Sequence, residues 1–201
     1  MIVQTTAITG TVVAAVAAVA GVWVLRQLAH AAILHRLRAP RIPHTQGPVA
    51  HGIPADAVQE VRLPGPRGKQ LFGWLVSPPP SRANLCPTFP AGTAHALPVV
   101  PVAPVAPPAH GAPAVLVMHG WGANASMMAS VVAPLHTAGF AVLLLDARCH
   151  GRSDDEPFTS MPRFAEDIAA GLAWLRAQPG IAADRLALLG HSVGAGACLL
   201  H

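Results

Sequence analysis

Tyrosine is absent from this 201-residue chain, and only 11% of its residues are charged against 52% that are hydrophobic. So little charge excludes a uniform soluble globule, and something apolar has to be separated out before the remainder can be read as a domain. Acid is missing altogether before Asp56, whereas Arg26, Arg36, Arg38 and Arg41 all fall in that stretch. Beyond residue 45 nine basic residues face nine acidic ones, so the net charge of +4 is a local cluster. A local cluster of that kind gives no support to nucleic-acid binding. Cysteine is scarce too. Cys86, Cys149 and Cys198 are odd in number and share no metal-ligand spacing, which excludes a disulfide framework and a zinc site. Cys149 and Cys198 read as small core residues.

What is present begins with an uncharged run from Ile2 to Leu25, apolar all round, with Trp23 near its end and Arg26, Arg36, Arg38 and Arg41 after it. A membrane-spanning helix needs about 20 such residues, and an interfacial aromatic followed by basic residues is the usual cytoplasmic flank. A cleaved signal peptide would have a shorter apolar core behind a basic leader. The expectation is a single-pass anchor with the N-terminus outside and the rest of the chain cytoplasmic. Residues 1–40 are then anchor and basic juxtamembrane helix, ended by Pro40 and Pro43. Residues 41–57 hold Pro, Gly and His without periodicity and read as a linker.

One domain is expected over 58–201. Val58–Leu63 and Leu71–Val76 flank a Pro-Gly-Pro-Arg-Gly turn and predict two antiparallel strands. Eleven prolines between Pro78 and Pro113 mark an extended or disordered insertion, 78–113. After it, short strands and helices alternate: a strand at Ala114–Met118, a helix from Ser126, which can cap it, to Ala138, and a strand at Ala141–Leu145. A helix follows from about Pro162 to Gln178, with Phe164, Ile168, Leu172 and Leu175 on one face and Asp167 on the solvated one. A strand at Arg185–Leu189 and the start of a last helix complete the series. This order implies parallel pairing with right-handed crossovers and helices on both faces of the sheet.

The chemistry sits at the carboxyl ends of these strands, where open parallel sheets bind their ligands. Gly190-His191-Ser192-Val193-Gly194 fits G-x-S-x-G between an apolar strand and a helix. In that context the sharp turn projects the serine oxygen above the sheet, and the helix N-terminus favours negative charge beside it. His119-Gly120-Trp121-Gly122 follows the first parallel strand, and Asp146-Ala147-Arg148-Cys149-His150-Gly151-Arg152-Ser153 follows the second.

With these three strings in this order, residues 58–201 resemble the α/β-hydrolase superfamily, in its serine esterase, lipase and peptidase-like members. The resemblance implies an α/β fold with a mostly parallel sheet, Ser192 as nucleophile, and the backbone N–H groups of Trp121 and Val193 as oxyanion hole. His119, Gly120, Gly122, Asp146, Gly190, His191 and Gly194 are implied as motif support, with Arg148 and His150 helping to hold the loop, and neither His119 nor His191 as the general base. Members usually have glycine where Cys149 stands, which bears on whether that position is left-handed. No metal or organic cofactor is implied. The expected substrate is a small-molecule or lipid-like ester, cleaved through an acyl-Ser192 intermediate.

In this superfamily the triad runs Ser, then Asp or Glu, then His. Only nine residues follow Ser192, with no acid among them. The sequence therefore reads as an N-terminal part truncated after the elbow, lacking on the order of 100 residues. It is expected to be inactive as written, with the elbow strand left as an edge. Acyl transfer, thioester or peptide cleavage on the same fold is the nearest alternative, and a non-catalytic membrane-tethered interaction protein or a functionless fragment is the other.

Overall fold

The computed structural model describes residues 2–79 and 111–201. Helix α1 runs Ile2–Arg36, and five strands follow: β1 Val58–Pro64, β2 Gln70–Val76, β3 Ala112–Met118, β4 Ala141–Leu145 and β5 Ile181–Gly190. Helices α2 Val132–Thr137, α3 Met161–Arg176 and α4 Val193–Leu200 alternate with the last three strands. Most of the proline-rich insertion, with Cys86, lies outside the described residues.

The strands form one mixed sheet in the order β1-β2-β4-β3-β5. β1 and β2 are an antiparallel hairpin, β2 runs antiparallel to β4, and β3 lies parallel to both β4 and β5. Alternation along the strands sends Leu116, Met118, Leu143 and Leu145 to one face, beneath Phe164, Ile168, Leu172 and Leu175 of α3 and Ala197 of α4. Val115, Val117, Val142 and Leu144 go to the other, with Phe72, Trp74 and Val132. Helices therefore cover both faces, as the strand-helix alternation predicts. α3 lies close against the sheet at Gly171, where a Cβ would come within 2.5 Å of Leu116. β4 is buried throughout, whereas β5, at the edge of the described sheet, is mostly half-buried or exposed.

Three local expectations are corrected. The stretch after Asn124 is a 3-10 helix over Ala125–Val131 before α2 begins at Val132. Pro134 is the physical reason: proline fits only the first turn of an α-helix, so a continuous helix from Ser126 cannot pass through it. Asn124, not Ser126, is the cap, its side chain accepting from the Ser126 amide at 3.1 Å. Asp167 does not face solvent. It is 1% exposed because α3 turns it towards the buried Arg148, whose Nε donates to it at 2.6 Å.

Residues 41–57 do more than connect. Two short 3-10 helices, Pro48–His51 and Ala55–Ala57, lie within them, and Pro48 and Ile53 are buried. Side-chain partners more than eighty residues away in sequence hold the stretch down, which is why no local periodicity announces it.

α1 is long and apolar enough to cross a membrane. Over Val13–Arg36 its mean hydropathy is 1.5, and among the described residues none buries that apolar stretch.

Candidate active site

Ser192 stands two residues beyond the end of β5 and immediately before α4. Its backbone has φ 54° and ψ −120°, a conformation that costs a non-glycine residue about 1–3 kcal/mol and persists only where its surroundings enforce it. The enforcement is steric. A Cβ on Gly190 would lie 2.5 Å from the backbone of Gly194, and one on Gly194 would overlap the carbonyl oxygen of His119. Strand, elbow and the loop after β3 thus interlock at positions where no side chain fits. The His191 amide donates to the Met118 carbonyl at 3.1 Å and completes the lock. Ser192 itself is exposed.

The loop after β3 forms the neighbouring rim. A Cβ on Gly120 would sit 3.1 Å from the Cβ of Ser192, so glycine there lets the backbone pass close to the hydroxyl. Gly122 takes φ +66°, and its amide donates to His150 Nε2 at 3.2 Å. Trp121, between these glycines, is half-buried and meets the His150 ring edge-on.

Two histidines beneath the rim are held neutral. His119 Nδ1–H donates to the Gly120 carbonyl at 2.7 Å, and its Nε2 accepts from the Ala147 amide at 3.1 Å. Burial, with repulsion from His150, pushes its pKa down to about 4. His150 repeats the pattern: Nδ1–H donates to the Arg148 carbonyl at 2.9 Å while Nε2 receives Gly122, and burial again lowers its pKa. Both nitrogens of each ring are occupied, so these are positioning groups.

Asp146 anchors the loop after β4. Fully buried, it accepts from the Ala125 amide at 2.7 Å, the Arg152 amide at 2.7 Å and His44 Nε2 at 2.8 Å. Gly151, at φ +47°, lies where any Cβ would overlap the Asp146 carboxylate. Ser153 closes the loop by donating to the Asp146 carbonyl and accepting from the Phe72 amide, each within 2.8 Å. Cys149 takes φ +67°, so the left-handed turn survives the replacement of the usual glycine. Burial pushes its thiol pKa up, consistent with an inert packing role.

Below this loop Arg148, fully buried, meets Asp167 at 2.6 Å, Glu166 at 2.6 Å and Glu156 at 3.0 Å. Burial raises the Asp167 carboxyl to about 6 against the downward pull of Arg148. His44, Arg41, Asn124 and Asp167 are site-supporting residues that sequence reasoning misses. His44, Arg41 and Asp167 carry no local mark, because each acts through a partner distant in the chain, whereas Asn124 does, as the cap of the turn before α2. Among the described residues no group of His, Cys, Asp and Glu is arranged to hold a metal ion.

Residues 109–201 match a family model described as Serine aminopeptidase, S33. The structure superimposes on the esterase Pf2001 of Pyrococcus furiosus with a TM-score of 0.57 at 18% identity, over 82% of this chain and 50% of that one. The chain has the α/β-hydrolase fold. A second such neighbour is Est1E of Butyrivibrio proteoclasticus with ferulic acid bound, at TM-score 0.50 and 17% identity, over 70% of this chain and 46% of Est1E. Among curated proteins, an uncharacterized protein of Mycobacterium tuberculosis is 39% identical over 83 residues, 41% of this chain and 29% of the relative. The chain thus matches under a third of that relative's length and about half of the Pf2001 structure.

Proposed function

We propose that Ser192 is the nucleophile of a serine hydrolase that cleaves carboxylic esters, with α1 as its membrane anchor. The observation that carries this reading is the enforced backbone of Ser192. A residue held at φ 54° between Gly190 and Gly194, exposed at the mouth of the sheet, stores strain that the fold alone does not need. The family match over 109–201 and the esterase neighbours point the same way.

In this reading the Ser192 hydroxyl adds to the ester carbonyl carbon, and its proton passes to a general base. The carbonyl oxygen becomes an oxyanion held by the N–H groups of Trp121 and Val193, the second at the N-terminus of α4. Collapse expels the alcohol, and water releases the acid from acyl-Ser192. Removing one such donor costs about 10²–10³ in rate in enzymes of this type. His119 and Asp146 do not touch the reacting atoms. They fix the two loops so that the Trp121 amide meets the elbow.

The test is ester turnover by the protein expressed from its own gene. Ser192→Ala should abolish hydrolysis of a short-chain nitrophenyl ester while leaving the melting curve in place. Turnover retained in that variant would remove Ser192 from the role. Added alcohol or amine acceptors distinguish hydrolysis from acyl transfer in the same assay.

A further inference from the structure

The segment that leaves α1 is threaded between the loops after β3 and β4. It is pinned first at Leu37, whose carbonyl accepts from the Thr159 amide at 3.0 Å. On the side of the loop after β4, Arg41 donates to the Gly151 and Ser153 carbonyls at 2.5 and 2.9 Å and pairs with Asp155 at 2.5 Å. His44 reaches Asp146 at 2.8 Å. On the other side the partners lie in the loop after β3 and the turn that follows it. Asn124, fully buried, donates through Nδ2 to the Ile42 and Pro43 carbonyls at 2.8 and 3.2 Å. The Thr45 amide donates to Ser126 Oγ at 3.2 Å. The Pro40 ring stands 3.2 Å from the position a Cβ would take on Gly122. Residues 37–46 are therefore a strap that staples one loop to the other.

What the staple restrains is the part of the site least able to fix itself. Trp121 stands between Gly120 and Gly122, and flanking glycines leave the direction of its amide free to rotate. Both glycines are required, since Gly120 passes close to the Ser192 Cβ and Gly122 takes φ +66° beneath Pro40. The Ala123 amide closes the turn on the Gly120 carbonyl at 3.2 Å. That internal bond shapes the turn, but its angle to the elbow is set by what grips it from outside. His150 supplies one hold, through the Gly122 amide at 3.2 Å. The strap supplies two more, Pro40 on Gly122 and the Ile42 and Pro43 carbonyls on Asn124. An oxyanion donor works only within about 2.7–3.1 Å of the developing charge. A misplacement of about 1 Å can cost on the order of 10²-fold in rate.

We propose that the strap is part of the oxyanion hole, with Pro40 and Asn124 as positioning residues that act through the glycine turn to aim the Trp121 amide at the oxyanion. The segment between α1 and the sheet is then a component of the site, and its engagement sets turnover. This rests on the reading of Ser192 as nucleophile and of the Trp121 N–H as donor.

The experiment measures inhibition of the full protein, expressed from its own gene, by an aryl trifluoromethyl ketone. The Ser192 oxygen adds to the ketone carbon, the serine proton passes to the general base, and the former carbonyl oxygen remains as an oxyanion in the hole. Asn124→Asp keeps the Oδ1 that accepts from the Ser126 amide but loses the Nδ2 donor that grips the strap. Pro40→Gly, at an exposed position, removes the ring from Gly122. The inhibition constant should rise at least tenfold in Asn124→Asp and at least threefold in Pro40→Gly. The kcat for a short-chain ester should fall in the same proportion, with KM changed less than twofold. An inhibition constant does not depend on how much of the protein is folded, so a merely structural role would leave it unchanged. Unchanged constants in both variants would overturn the proposal, and if Asn124→Asp does not fold, Pro40→Gly decides alone. An unmodified protein that neither binds the ketone nor turns over ester removes Ser192 from its role and the proposal with it. That result is distinct from a tightly inhibited protein whose constant the variants leave alone.

Discussion

His44 Nε2–H donates to the Asp146 carboxylate at 2.8 Å across 102 residues of sequence. The imidazole also packs against Phe72 and Trp74, with ring centroids 5.2 and 4.6 Å away. Asp146 in turn receives the Ala125 and Arg152 amides, so one carboxylate joins the strap, the turn after β3 and the loop after β4. Replacing His44 with Ala removes a hydrogen bond to a charged group in a buried setting, a loss of about 1.5–3 kcal/mol. Thermal melting should show that loss, and limited proteolysis should cut first within 37–47. Unchanged melting and protease resistance would mean that the pair does not hold the strap.

Asp167→Asn should cost about 3 kcal/mol, because it leaves the buried Arg148 short of its most deeply buried counter-charge. Arg148→Met in the same chain should restore part of that loss, since the uncompensated charge is gone. A loss below about 1 kcal/mol in chemical unfolding of the single variant would contradict the pairing.

Strain at the elbow makes a prediction of opposite sign. Ser192→Gly relieves the positive φ, and after allowing for the greater flexibility of glycine when unfolded it should stabilise by about 0.5–2 kcal/mol. Activity should vanish in the same variant. Gly194→Ala should instead destabilise strongly, because its Cβ overlaps the His119 carbonyl. If calorimetry ranks the two variants the other way, the elbow is not strained as described.

The pH dependence follows from His119. Its folded pKa of about 4 lies below the ordinary value of 6.5, so the unfolded chain binds more protons between those values. Stability from this group is therefore fully present above pH 6.5 and lost as pH falls towards 4, by on the order of 3 kcal/mol. His150, lowered in the same direction, adds to the slope. His119→Asn should flatten the fall in melting temperature between pH 6.5 and 4.5, and an unaltered slope would assign the titration elsewhere.

The site's motifs were legible because they are short-range steric statements. Gly190, Gly194 and Gly151 each mark a place where a Cβ would strike backbone or carboxylate, so the demand is written at the residue itself. The hairpin, β3, β4 and α3 were legible for the same kind of reason, as periodicities of two and 3.6. Pro134 also carries the information that the helix before it cannot be continuous. Asp167 and His44 were different. Their partners, Arg148 and Asp146, lie in another element, and pairing between elements leaves no local pattern. The left-handed Cys149 shows the converse, a backbone demand kept by the fold when the residue that usually meets it is replaced.

The central claim is that the enforced turn at Ser192 presents a nucleophile. Treating the protein from its own gene with a fluorophosphonate and mapping the adduct by peptide mass spectrometry tests it most directly. A single phosphonylated serine is expected at Ser192, lost in Ser192→Ala together with ester turnover. An active protein whose adduct lies on another residue, or whose Ser192→Ala variant still turns over ester, would contradict it.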